Sequence, residues 1–172
     1  MAFIFELMAE CGDNAAAAVR FKRHFEGVGW ILSDGTSVTC LSREIEVWQS
    51  IDQTWRCRVM PDRISVPGDD LGARTLSLRV EVARHLYSHL RGFAGYRLAC
   101  VGWEVSSSLN YDAILKAEQC LSDLPAGLVV CDTLWHQLGC PSTFVRFSLN
   151  TFWKPLDDAG FFEMVRLFDS DR

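Results

Sequence analysis

Val28-Gly29-Trp30-Ile31-Leu32-Ser33-Asp34-Gly35-Thr36-Ser37-Val38-Thr39-Cys40-Leu41 is where the sequence comes closest to dictating its own geometry. Two β-prone runs flank Asp34-Gly35. Asp-Gly between such runs is a strong hairpin signal, because a type I′ turn needs positive φ at both central residues. A second pair follows, Glu44-Ile45-Glu46-Val47-Trp48-Gln49 and Thr54-Trp55-Arg56-Cys57-Arg58-Val59-Met60. In both pairs apolar and polar residues alternate with period two, as in strands with one buried and one wet face. The expectation is an α+β fold: an antiparallel sheet built on a central β-meander over about residues 28–60, with helices packed on one face, in a single domain spanning residues 1–172.

Upstream, Phe3, Phe5 and Leu7 alternate with Ile4, Glu6 and Met8 and predict an opening strand. Asp13 or Asn14 then caps a helix in which Ala18, Phe21, Phe25 and Val28 share one face. Downstream, Pro61 to Gly72 carries two prolines, two glycines and three aspartates and reads as a long surface connection. Leu76 to Arg91 fits both periods, and its length and the closing Gly92 decide for a helix. Tyr96 to Ser106 reads as a strand, and Asn110 caps a helix that stops before Leu124-Pro125-Ala126-Gly127. Leu128 to Cys131 reads as a short buried strand. Asp132 caps one or two helical turns closed by Gly139, Phe144 to Leu149 alternates again, and Asp157 or Asp158 starts a last helix.

The 172 residues suffice for one core without disulfide or metal. Net charge is −5 and evenly spread, with 10 basic and 12 acidic residues in the first 86 and 7 and 10 in the remainder. No basic stripe supplies the electrostatic attraction that dominates nucleic-acid affinity, so no nucleic-acid partner is expected. The N-terminus lacks a positive region before its apolar run, which Glu6 interrupts, so it does not read as a signal peptide. No 18-residue apolar stretch marks a membrane span. The 7 cysteines are odd in number, lack a Cys-x-x-Cys pair and mostly sit in apolar runs. They predict reduced thiols and a cytoplasmic, soluble protein.

Three constellations carry possible chemistry. Glu81, His85 and His89 stand on one helical stripe with zinc-ligand types, but His85-Leu86-Tyr87-Ser88-His89 lacks the glutamate of a metalloprotease helix. Cys131, His136 and Cys140, with Cys120 upstream, are ligand types without a knuckle to fix their geometry. Asp132, His136 and Cys140 are also the residue types of an orienter, a base and a thiol nucleophile. Neither zinc nor any cofactor is expected, and phosphate-cradling patterns and the nucleophile-elbow pattern are missing.

The 6 tryptophans are the most distinctive feature left. Trp48 and Trp55 could be cross-strand neighbours. Large aromatics usually fill cores, yet Trp and Arg are also enriched among interface anchors. The reading that follows is a small, acidic, tryptophan-rich binding protein without catalysis. It would neutralise a partner protein, as immunity proteins of toxins do, with Trp153, Asp157, Asp158, Trp135 and His136 as binding residues. The alternative is an enzyme or small-molecule binder with a site near Asp132, His136 and Cys140.

Overall fold

The computed structural model describes residues 2–64, 66–67, 73–116, 124–156 and 159–160. In chain order the strands are Ala2–Phe3 (β1), Phe5–Glu10 (β2), Gly29–Ile31 (β3), Ser37–Thr39 (β4), Ile45–Gln49 (β5), Trp55–Val59 (β6), Val66–Pro67 (β7), Leu98–Trp103 (β8), Val129–Cys131 (β9), Val145–Ser148 (β10) and Thr151–Trp153 (β11). The helices are Ala15–Phe25 (α1), Ala73–Leu90 (α2), Val105–Ser108 (α3), Tyr111–Lys116 (α4) and Asp132–Gln137 (α5).

A seven-stranded antiparallel sheet in the order β10-β11-β9-β8-β2-β6-β5 makes this a single-domain α+β fold. Two corrections to the sequence reading follow. The meander does not form: β3 and β4 pair with each other in a separate ribbon, while β5 and β6 lie at one edge of the large sheet and β2 and β8 hold its interior. The ribbon is held by a helix instead. Trp30 stacks on His85 of α2 at 5.4 Å, and Glu81 accepts the Ser33 N–H at 2.9 Å. The turn also differs from type I′. Gly35 has φ +85°, but Asp34 stays at negative φ. The N–H of Gly35 donates to Leu32 and that of Leu32 to Thr36, which makes a three-residue turn with a glycine bulge.

The second correction concerns the helices, which cover both faces. On one face Phe5, Leu7, Ala9, Ala99, Val101 and Val129 share a core with Phe21 and Phe25 of α1 and Leu86 and Leu90 of α2. On the other, Met8, Leu98, Cys100 and Val130 pack with Tyr111 and Ile114 of α4 and Leu134 of α5. All six residues of β2 are therefore buried, Glu6 and Glu10 included. Helix α1 forms for the reasons its sequence suggests: the Asn14 side chain caps the Ala17 N–H at 2.9 Å, and Ala17, Ala18, Phe21 and Phe25 bury one stripe. Register also separates Trp48 from Trp55. Trp48 pairs with Arg56 and Trp55 with Gln49, so the two indoles lie on opposite faces.

Candidate functional site

Helix α5 begins where β9 ends, so Asp132 stands at a helix N-terminus, where a carboxylate is electrostatically favoured. One turn later comes His136. The helix then stops at Gly139, φ +81°, and Cys140 follows at φ +56°. Two consecutive left-handed residues fold the chain back, and the Cys140 N–H reaches the Trp135 carbonyl at 3.0 Å. This reversal brings Cys140 Sγ to 3.2 Å from His136 Nδ1. The other ring nitrogen, Nε2, lies 3.6 Å from Asp132 Oδ2. The three residues named from sequence as nucleophile, base and orienter thus meet in that order, with all three exposed.

The surroundings of this triad are aromatic and apolar. Trp135 stacks face to face on Phe152 at 4.0 Å and meets the His136 ring at 5.0 Å. Its indole nitrogen is buried without a hydrogen-bond partner among the described residues. The Arg146 guanidinium lies over Phe152 at 4.9 Å. Asn150, at the β10–β11 turn, accepts the Asp132 N–H at 3.0 Å. Next to it in the chain Leu149 is 83% exposed, whereas Val145, 47% exposed, pairs with Trp153 and so lies on the opposite face from Phe152. Sequence reasoning missed Arg146 and Leu149; the alternation over 144–149 marked a strand but not its place at a sheet edge.

The other binding residues named from sequence do not join this patch. Trp153 pairs with Val129, on the opposite face from Phe152, and its half-buried ring packs against Phe147 at 5.4 Å and Tyr87 at 5.7 Å. Asp157, Asp158 and Cys120 lie outside the described residues, and of the last predicted helix only Ala159 and Gly160, both helical, are described. On the Trp153 face a cavity of about 430 Å³ is lined by Arg91, Tyr96, Cys131, Ser148 and Thr151.

The Glu81, His85 and His89 stripe on α2 is engaged elsewhere. Glu81 holds the Ser33 turn, His85 stacks on Trp30, and His89 Nε2 bonds the His24 carbonyl at 2.8 Å. Among the described residues no group of three His, Cys, Asp or Glu side chains is placed to hold a metal ion. None of their helices is long and apolar enough to cross a membrane.

A charged network beneath α3 and α4 also escaped the sequence reading. Glu10 pairs with Arg97, lies 3.7 Å from Arg56 and accepts the Tyr111 N–H at 3.3 Å. Glu6 accepts the Ser106 N–H at 2.7 Å and lies 3.8 Å from Arg58. Burial pushes the Glu6 carboxyl above the ordinary carboxylate range, against the pull of Ser106 and Arg58. The signal was present as glutamates four apart on β2 facing arginines two apart on β6.

No protein-family model, curated protein or solved structure matches this chain.

Proposed function

We propose that this chain is a binding protein for another protein, of the neutralising inhibitor type, and that it engages its partner through β10, the β10–β11 turn and α5. One observation carries the reading: exposed Arg146 lies over the Trp135–Phe152 stack, which His136 adjoins, and reaches the carbonyl of exposed Leu149 at the hairpin turn. Tryptophan and arginine are enriched among interface hot spots, and rim charges such as Asp132 set the encounter rate. Among the described residues β10 is the outermost strand, and such a strand can pair with a strand of a partner. The buried thiols of Cys11, Cys40, Cys57 and Cys100 suit a reducing cytosol. Neither nucleic acid nor membrane enters this reading.

The test is capture of the partner from the native host by the full chain, repeated with variants. Leu149→Asp and Arg146→Glu should lose the partner that the parent retains, at unchanged melting temperature, because both side chains are exposed. Ile51→Asp, at a fully exposed site in the β5–β6 turn, should retain it. Loss with Ile51→Asp and retention with the other two would place the interface at the opposite edge and sink the proposal.

The 3.2 Å thiol–imidazole contact favours a second reading, a site for a small reactive molecule around Asp132, His136 and Cys140. Covalent turnover of an added electrophile by the parent, lost in Cys140→Ser, is its test.

A further inference from the structure

Cys140 differs from the other described cysteines in access and in company. Cys11, Cys40, Cys57 and Cys100 are buried, and burial pushes each of these thiols up to about 12. Cys131 is half-buried at the start of α5. Cys140 is exposed, with an imidazole nitrogen 3.2 Å from its sulfur and a carboxylate behind the other nitrogen. The thiolate is the nucleophilic form of cysteine, and a base oriented by a third group is the arrangement that generates it.

The backbone around the sulfur narrows the class of electrophile. Attack on a carbonyl carbon builds an oxyanion that needs donors aimed at it. Here the Gly139 N–H is given to the His136 carbonyl and the Cys140 N–H to the Trp135 carbonyl. The next residue, Pro141, has no N–H to offer. Exchange with a disulfide builds no oxyanion. It needs a thiolate, open access to a sulfur and a thiolate that can leave.

The geometry points to Cys140 as a thiolation site, which takes one half of a low-molecular-weight disulfide and becomes a mixed disulfide, with His136 as the base. His136 Nδ1 removes the Cys140 proton, and Sγ attacks one sulfur of the disulfide. A new S–S bond forms and the old one breaks, its electron pair leaving with the departing thiolate, which takes the proton back from His136. Cys140 is oxidised, and the small disulfide is reduced to one thiol and one protein-bound half. Asp132 Oδ2, 3.6 Å from Nε2, is beyond hydrogen-bond distance and favours the imidazolium by its charge alone. The inference rests on the thiol–imidazole contact of the second reading and is independent of partner binding.

The full chain, reduced and freed of reductant, is mixed with dithiodipyridine, whose released thiopyridone is followed by absorbance. One equivalent per chain should react in a fast phase, and peptide mapping should place the adduct on Cys140. Oxidised glutathione should modify the same residue. Cys140→Ser, at the same left-handed φ, should abolish the fast phase. His136→Asn should slow it at least about tenfold with the melting temperature unchanged, because a general base contributes that much or more. A fast phase mapped to another cysteine would overturn the inference. So would an equal rate in His136→Asn, the behaviour of a thiol that is merely exposed. Failure here would leave the Leu149→Asp and Arg146→Glu outcomes, and the partner-binding reading, untouched.

Discussion

The Tyr87 hydroxyl stands 2.5 Å from the point that a Cβ on Gly127 would occupy. It donates to the Gly127 carbonyl at 2.8 Å and accepts the Val101 N–H at 3.1 Å. Strand β9 is shorter than β8 and its pairing stops at Leu98 and Ala99, so among the described residues Val101 has no strand partner on that side and the phenol takes that place. Burial pushes the Tyr87 phenol well above its ordinary range, so it remains a neutral donor and acceptor. Gly127 also has φ +84°, and the same Cβ would meet Leu156 Cδ1 at 2.8 Å. Gly127→Ala should therefore cost about 2–4 kcal/mol, from left-handed strain and overpacking together. An unfolding midpoint within error of the parent would refute this.

Gly35 is the contrasting case. Its φ is +85°, but a Cβ there would meet nothing within 4 Å. Backbone strain acts alone, and Gly35→Val should cost about 1–2 kcal/mol. The two variants compared by chemical denaturation should rank with Gly127→Ala as the more destabilising. The reverse order would mean that the β3–β4 turn matters more to the fold than the Tyr87 contact.

Which features were legible depends on how far apart the cooperating residues lie. The α1 cap at Asn14 and its buried stripe are local, and the sequence shows both. Asp132, His136 and Cys140 repeat every four residues, so their meeting on α5 was also within reach; the left-handed Cys140 that completes it was not. Glu6 alternates with Phe5 and Leu7 in the opening strand, and nothing local tells that it and Glu10 are buried. They are buried because α3 and α4 cover that face and because Arg56, Arg58 and Arg97 arrive from distant strands and loops to compensate them. Likewise, one residue of register decides whether Trp48 and Trp55 share a face, and alternation within each strand is blind to register. Leu149-Asn150 turns the chain between β10 and β11 without glycine or proline, so only Asn150 and its Ser148 and Thr151 neighbours mark the hairpin, a weak turn signal.

His24 on α1 and His89 on α2 stack at 4.2 Å, each bonding the other's carbonyl through Nε2, at 3.1 and 2.8 Å. Burial pulls His24 below its ordinary 6.5, with the His89 charge adding to the shift and the bond to the His89 carbonyl opposing it. A folded-state value below the unfolded one means that the unfolded chain takes up the proton first as pH falls. Stability from this contact is complete above pH 6.5 and is lost as pH falls from there through the folded value. Parent and His24→Gln should therefore diverge in the acid direction, the parent losing more between neutral pH and pH 5 or so. Parallel melting curves across that range would show that His24 titrates alike in both states.

Arg58 offers a second pH test, with the opposite sign. Glu6 is fully buried, and its Oε2 has no hydrogen bond among the described residues but lies 3.8 Å from Arg58 Nη1. Arg58 has a second carboxylate, Glu46, at 2.8 Å, but that group is half exposed and contributes little. Arg58→Met keeps an apolar stem of similar length and removes the guanidinium, which lies 5.9 Å from the Trp48 ring centre and is the cation nearest to the buried charge. Glu6 already titrates above its ordinary 4.5 because of burial, and Arg58 restrains the shift, so its removal lets the shift grow. A carboxyl raised in the folded state destabilises only where it must ionise. That penalty is absent below the unfolded value of 4.5 and develops as pH rises through the folded value. Arg58→Met should thus cost about 2–3 kcal/mol at neutral pH, as breaking one side of a mostly buried pair does, and the deficit should close as pH falls toward 4.5. Denaturation midpoints of both proteins from pH 4 to 8 or so would read the effect. A deficit that stays constant over that range would assign the role of Arg58 to packing against Trp48 and not to Glu6.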